Sequence, residues 1–329
     1  MIVMGLQMTD KKTTPKKTTQ KELISIVIPC FNEEEMVDIC HKAVTDVVDT
    51  LPQNYEIIYI NDGSEDKTLQ LLENLKTKDK RVIIINLSRN FGKEAAMTAG
   101  IDHASGDALI ILDADLQDPP ALIPDLIRVW KDTNADVVYG QRMVREGETW
   151  VKKFTASCFY KVINFIANTV EIPQNTGDFR LMNRRSIDAL MELREKHRFM
   201  KGLFAWIGFK QVAMQYNREP RAAGTTKWNY LGLWNLALEG IAGFSTTPLQ
   251  IASIFGLIIS LLSFLFGAAI MFKTIMFGND VPGYTSLAVM ISFFSGIQLL
   301  SIGILGEYIG RIFGESKKRP LYFIEKIYK

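Results

Sequence analysis

The chain is 329 residues long and carries 38 Lys and Arg against 36 Asp and Glu, a formal net charge of +2. That balance argues against a general nucleic-acid binder and an acidic interaction tail, and the length allows one large domain or two smaller ones. Three cysteines, Cys30, Cys40 and Cys158, are an odd number without paired spacing, which argues against a disulfide framework or zinc site and predicts ordinary thiols.

Residues 1–22 begin with a short apolar run and continue into Lys- and Thr-rich sequence without a cleavage site, and they read as a disordered N-terminal tail. From residue 23 strand and helix signals alternate. Apolar runs at 23–29, 55–60, 81–87, 108–112 and 136–139 are separated by helical patterns at 33–48, 65–75, 92–104 and 119–130. Unbroken hydrophobicity implies strands covered on both faces, and intervening helices imply parallel pairing. A doubly wound, Rossmann-like α/β domain is therefore expected over residues 23–227.

Ligands of such sheets bind beyond the carboxyl ends of the strands. The polar residues gather there: Asn32 and Glu33 after the first run, Asp62 after the second, Arg89 and Lys93 after the third, Asp113 and Asp115 after the fourth. Asp113, Asp115 and Asp118 repel one another at the end of an apolar run unless a cation neutralises them, and hard oxygen ligands suit Mg2+ or Mn2+. The plainer alternative is a polar turn in which Asp118 is the N-cap ahead of Pro119. Glu33 and Asp62 have plain alternatives too, a carboxylate near a helix N-terminus and an Asx-turn in Asn-Asp-Gly. No Gly-x-Gly-x-x-Gly follows the first strand and no Gly-x4-Gly-Lys-Ser/Thr occurs, so phosphate has to be held through a metal.

Residues 150–170 mix Lys152, Lys153 and Lys161 with Trp150, Phe154, Phe159, Tyr160 and Phe165, a pattern shared by an amphipathic helix on a membrane surface and a soluble-core helix. Residues 228–247 carry Trp228, Tyr230, Trp234 and Phe244 and read as an interfacial segment. Composition then turns strongly apolar. Within 248–311 two transmembrane helices are expected, about 249–272 and 283–308, each reaching roughly 36 Å against a hydrocarbon core of about 30 Å. Arg311, Lys317, Lys318 and Arg319 follow the second, whereas only Lys273 and Asp280 lie between the two, so both termini, including a tail at 312–329, are expected on the cytoplasmic side. Gly256/Ser260, Ser263/Gly267 and Gly306/Gly310 are small-xxx-small pairs that suit close helix packing, within the hairpin or between copies in a homo-oligomer.

Five segments recur in a familiar order: Ile28-Pro29-Cys30-Phe31-Asn32-Glu33, Asn61-Asp62-Gly63-Ser64, Arg89-Asn90-Phe91-Gly92-Lys93, Asp113-Ala114-Asp115-Leu116-Gln117 and Gly177-Asp178-Phe179-Arg180. With the apolar pair, they resemble family 2 glycosyltransferases of the GT-A fold, in the polyprenyl-phosphate branch that includes dolichol-phosphate mannose synthases and the bacterial GtrB-type bactoprenol glucosyltransferases. The resemblance covers about residues 23–315. It implies that Pro29, Phe31, Glu33 and Asp62 hold the base and ribose of a nucleotide sugar, with Arg89 and Lys93 on the same rim. It further implies that Asp113, Asp115 and Gln117 surround the metal and diphosphate. Metal ligation falls to Asp113 and Asp115, and Asp115 and Asp178 are the expected catalytic residues. Lys227, in a segment like the family's flexible Gly-x-Ser-Lys with Thr226 in place of Ser, is expected to close on the diphosphate.

The acceptor implied is a polyprenyl phosphate, largely ionised at neutral pH because a second phosphate pKa is about 6, so positioning matters more than base strength. Arg142, Lys153 and Ser157 are expected to clamp that phosphate, Lys153 standing where relatives carry Arg, and anionic lipid headgroups are the alternative ligand. Asp178 is expected to orient or deprotonate the acceptor, or else to form a structural salt bridge with Arg180. The expected reaction is metal-dependent, inverting transfer of a hexose, glucose from UDP-glucose, to undecaprenyl phosphate at the cytoplasmic face of a bacterial inner membrane. GDP-mannose or a modified UDP-pentose is the alternative donor. A processive polysaccharide synthase is disfavoured by the missing Gln-x-x-Arg-Trp motif, and a non-catalytic scaffold predicts tolerance of changes at Asp113 and Asp115.

Overall fold

Residues 21–143, 173, 175–196, 198–217, 247–277 and 283–329 are described by the structure, a computed structural model. The continuous apolar runs form β1 (Leu23–Cys30), β2 (Asn54–Asn61), β3 (Val82–Leu87) and β4 (Ala108–Ile111), alternating with α1 (Val37–Val48), α2 (Thr68–Lys78) and α3 (Lys93–His103). A short 3-10 turn at Pro120–Leu122 leads into α4 (Ile123–Thr133) and β5 (Val137–Arg142). Then come β6 (Thr176–Asn183), α5 (Arg184–Glu192), α6 (Met200–Trp206) and β7 (Gln211–Tyr216), followed by α7 (Thr247–Phe277), α8 (Tyr284–Ser316) and β8 (Ile324–Tyr328).

The strands join in one sheet in the order β7-β5-β6-β4-β1-β2-β3-β8. Its centre is parallel, as expected: β1 pairs with both β2 and β4, and β2 with β3. The remainder corrects the expectation of parallel pairing throughout. β6 lies antiparallel between β4 and β5, so β5 does not neighbour β4. The sequence of β6, Thr-Gly-Asp-Phe-Arg-Leu-Met-Asn, carries two charges and gives no continuous apolar signal, yet seven of its eight residues are buried. A second correction concerns the expected tail at 312–329. α8 runs on to Ser316, and β8 closes the far edge by pairing antiparallel with β3. Covering that edge removes a row of unpaired backbone groups.

Alternation along the strands sorts side chains into two apolar layers. On one face Ile24, Ile26, Ile28, Ile57, Tyr59 and Ile110 meet α1, α2 and α4; on the other Val27, Ile58, Ile60, Leu109 and Ile111 meet α3, α5 and α6. Among the cysteines described, Cys30 and Cys40 are buried free thiols. Cys158 lies outside the described residues.

α7 and α8 are 31 and 33 residues long. Their apolar stretches, Ala252–Phe277 and Phe293–Ser316, are long and apolar enough to cross a membrane, with Leu257, Phe264, Phe272, Leu299 and Ile312 exposed. Among the described residues, a Cβ at Gly256, Gly267, Gly306 or Gly310 meets nothing within 4 Å, so no close helix contact is described at these glycines. The end of α8 is tied to the sheet domain. Lys196 donates from its backbone to Glu315 Oε1 (2.7 Å) and from Nζ to Gly314 O (2.6 Å), satisfying a carbonyl in the last turn. Nearby, Arg194 and Tyr322 both bind the Asp102 carboxylate at the end of α3.

Candidate active site

Four strand ends and the start of α3 converge on one rim. After β1, Asn32 takes φ 52°, a left-handed conformation that asparagine tolerates, and its amide donates to Ser64 Oγ (3.0 Å). Glu33 N donates to Thr68 Oγ1 (2.9 Å), and Glu65 N to Asn32 Oδ1 (2.9 Å), so the turns after β1 and β2 are laced together. Pro29 and Phe31 flank this lacing on the β1 side.

Asp62 is 2% exposed and accepts from the amides of Phe91 (2.8 Å) and Gly92 (3.0 Å). Burial lifts its carboxyl above the ordinary range, against the two amides and Arg89. The carboxylate therefore joins the end of β2 to the loop before α3, rather than closing only a local Asx-turn. Gly63 makes this approach possible: its φ is 63°, and a Cβ there would lie 2.4 Å from the carbonyl carbon of Arg89. Arg89 is exposed, with its guanidinium 4.1 Å above the Phe91 ring.

The charge centre lies beside it. Lys93, first residue of α3, extends Nζ to Asp113 Oδ2 (2.8 Å) and Asp178 Oδ2 (2.6 Å). Asp113 comes from the end of β4 and Asp178 from β6, so the antiparallel insertion of β6 brings the two carboxylates to one ammonium. Nζ is also 2.7 Å from Asp113 Oδ1, yet that buried oxygen makes no hydrogen bond. Burial pushes the Asp178 carboxyl up, but Lys93, Lys201 and Arg180 outweigh it and hold it well below the usual carboxylate range. Asp113 moves the other way, raised by burial and by Asp178 against the pull of Lys93. Glu94, with its carboxylate on Met200 N (3.3 Å), is pushed up to about 8 by burial and the Asp178 charge. Nothing in the sequence pattern singles out Glu94 except its place after Lys93.

Asp115 is 7% exposed and accepts from Gln117 N (3.1 Å), closing a turn in which Leu116 sits at φ 57°. A branched apolar residue seldom adopts that conformation, so the turn is held by its surroundings. Asp113 and Asp115 suit by donor type a divalent cation of the Mg2+ kind, which takes one or two carboxylates and completes its shell with substrate phosphates and water; Asp113 Oδ1, ion-paired with Lys93 but making no hydrogen bond, is a hard oxygen such an ion could take. Among the described residues no cluster of three His, Cys, Asp or Glu side chains surrounds a metal position.

Two alternatives from the sequence are corrected. Asp118 is no helix cap: it is 1% exposed and accepts from Tyr216 OH and from Arg142 Nη2 (3.3 Å). Arg142 Nε donates to the same Tyr216 hydroxyl (3.2 Å), and a Cβ on Gly177 would fall 2.6 Å from Arg142 Nη2. Arg142 is thus a braced guanidinium crossing a glycine on β6. Nor does Arg180 pair with the Asp178 carboxylate. It donates to the carbonyls of Gly177 (2.9 Å) and Asp178 (3.3 Å) and lies 3.5 Å over the Phe204 ring. Tyr216, 98 residues from Asp118, has no local signal that marks it. Lys153, Ser157 and Lys227 lie outside the described residues, as do the patterns at 150–170 and most of 228–247.

This mixed α/β sheet, with carboxylates at the carboxyl rim of its parallel centre, has the GT-A fold. The sequence model described as Glycosyl transferase family 2 matches residues 25–191, about half of the chain, and the chain belongs to this family of enzymes. An uncharacterised glycosyltransferase of Synechocystis is 51% identical over 305 residues, covering 93% of this chain and 95% of that protein. The SfII prophage-derived bactoprenol glucosyl transferase of Shigella flexneri is 47% identical over 306 residues, covering 93% and 98%. An uncharacterised glycosyltransferase of Bacillus subtilis is 43% identical over 304 residues, covering 92% and 94%.

Proposed function

We propose that this glycosyltransferase moves glucose from UDP-glucose to undecaprenyl phosphate, with inversion at the anomeric carbon. The observation that carries a transfer site is the convergence of Asp113 and Asp178 on Lys93 beside the buried Asp62. Glucose and the lipid acceptor are supported by the bactoprenol glucosyl transferase that is 47% identical along 93% of this chain.

In this reading Pro29, Phe31, Glu33 and Asp62 hold the nucleoside, and Arg89, Gln117 and Lys227 reach the diphosphate. Asp113 and Asp115 hold Mg2+ or Mn2+, which supplies Lewis-acid neutralisation of the leaving diphosphate. Lys93 adds a fixed positive charge at the same place, already oriented by two carboxylates. The acceptor phosphate carries its own anionic oxygen, and Asp178, kept ionised by Lys93, is too weak a base to be needed as one. Its task is to orient the acceptor and the ammonium. Arg142 stays proposed for the acceptor phosphate, its aim fixed by Asp118 and Tyr216, with Lys153 and Ser157 completing the clamp.

The basic residues Arg311, Lys317, Lys318 and Arg319 support a two-span orientation with the catalytic domain and both termini in the cytoplasm of a bacterium. The exposed Gly306 and Gly310 leave a surface on which copies can pair as a homo-oligomer. Incubating membranes that contain the protein with labelled UDP-glucose, GDP-mannose and UDP-pentoses, with and without undecaprenyl phosphate and with EDTA, tests the proposal. A monoglucosyl lipid formed only with UDP-glucose, the lipid and free divalent metal is expected. Transfer from another sugar replaces the donor, and long polymer replaces the reaction.

A further inference from the structure

The segment that follows α8 returns to the rim at Asp62. Phe323 accepts from Ser88 N (3.0 Å) through its carbonyl, and its ring packs on Phe91 with centroids 6.3 Å apart. Phe91 is the residue whose amide holds Asp62. Two residues on, Glu325 Oε2 accepts from Asn86 Nδ2 (2.8 Å). Asn86 Oδ1 accepts in turn from Asn61 Nδ2 (2.7 Å), Asn61 Oδ1 from Ser64 N (3.3 Å), and Ser64 Oγ from Asn32 N (3.0 Å). Asn61 and Asn86 are register partners on β2 and β3, 2% and 5% exposed.

This ladder has a direction, fixed at one end by the Ser64 N–H, which only donates, and at the other by Glu325. A carboxylate only accepts, so Asn86 has to turn its NH2 to Glu325 and its oxygen to Asn61. Asn61 then presents NH2 to Asn86 and keeps its oxygen for the Ser64 amide. A donor in place of Glu325 would set two donors against each other, at Asn86 if the amides keep their sense or at the Ser64 N–H if both turn over. The loops that would lose their shape are the ones laced between β1 and β2.

We propose that residues 322–328 are a positioning part of the donor site. Glu325 fixes one end of the Asn86, Asn61 and Ser64 ladder, and Phe323 props the loop that holds Asp62, so the chain leaving the second apolar helix sets nucleoside-diphosphate affinity. The inference rests on the reading of the Asp62 rim as the nucleotide pocket. It adds that pocket's dependence on a segment more than 230 residues away in sequence.

The test is UDP binding by calorimetry to the full-length protein in detergent, with KM for undecaprenyl phosphate measured beside it. Glu325→Gln, which keeps an accepting oxygen, should bind UDP within about twofold of the wild type, and Glu325→Ala about three- to fivefold more weakly. Glu325→Lys, which only donates, should be the weakest, by about tenfold or more. Phe323→Ala should resemble Glu325→Ala, and KM for the lipid should stay constant throughout. A lysine variant no weaker than the alanine variant, or four folded variants that all match the wild type, overturns the inference. If the lysine variant does not fold, the glutamine and alanine pair decides, equal affinities being the overturning result. A wild type that binds neither UDP nor GDP overturns the donor reading and this inference with it, whereas binding wild type with unaffected variants overturns the inference alone.

Discussion

Lys93 has two carboxylates to answer and is 43% exposed, so its charge stands at the mouth of the site rather than sealed beneath it. Replacing it with Met leaves Asp113 and Asp178 facing one another without their cation. Part of the repulsion is screened by solvent, and a loss of about 1–2 kcal/mol in unfolding free energy is expected. The functional effect has a sign. Without Lys93 the Asp178 pKa rises, so the acid limb of the kcat profile should move to higher pH in Lys93→Met and stay in place in Lys93→Arg. Asp113→Ala and Asp115→Ala should each lower glucosyl transfer at least about a hundredfold at saturating Mg2+ or Mn2+, scored as labelled lipid. Near-normal transfer by both would remove the metal assignment. Asp178→Asn should lower kcat with little change in KM for UDP-glucose, since the orienting contact is to acceptor and ammonium.

At the scale of elements, β6 is the strand on which the site depends. It carries Asp178 to Lys93, and at Gly177 it lets the Arg142 guanidinium cross. Gly177→Ala should cost about 1–3 kcal/mol, because the added methyl overlaps a guanidinium held by Asp118 and Tyr216. The same variant should raise KM for undecaprenyl phosphate more than for UDP-glucose. A second element-scale prediction concerns α1. Burial holds the His41 imidazole below its ordinary value, against the attraction of Asp79, and Nδ1 lies 3.2 Å from Tyr59 OH. A histidine whose folded pKa is depressed resists protonation, so the stability it contributes is lost as pH falls through the unfolded value of about 6.5. The stability gap between wild type and His41→Gln, read by thermal unfolding, should narrow between pH 7.5 and 5.5; a constant gap would place the imidazole outside this linkage.

For the whole molecule, the end of α8 is clamped by Lys196, and β8 then closes the sheet, so the apolar hairpin is fastened to the catalytic domain on both sides of residue 320. A domain held this way cannot swing far from the surface that the helices enter. A cysteine introduced at Asp280 should react with a membrane-impermeant maleimide in intact cells, and one at Lys329 only after lysis. Labelling at Lys329 but not at Asp280 in intact cells would reverse the proposed orientation, and labelling of both would remove the two-span reading.

The parallel centre of the sheet was legible because Ile-rich runs have no stable place except between two layers, and four of them end in polar residues that such a core excludes. That contrast placed Asp62, Asp113 and Asp115 on one rim while leaving turn readings open for each, and composition alone marked the two long apolar helices. What the chain could not reveal locally is which distant groups answer one another. Lys93 with Asp178, Arg142 with Tyr216, and Asn86 with Glu325 are separated by 85, 74 and 239 residues. Charge and hydrogen bonding act through space over a few ångströms, so those partnerships exist only once β6 has entered between β4 and β5, β7 has paired with β5, and β8 has closed the edge at β3.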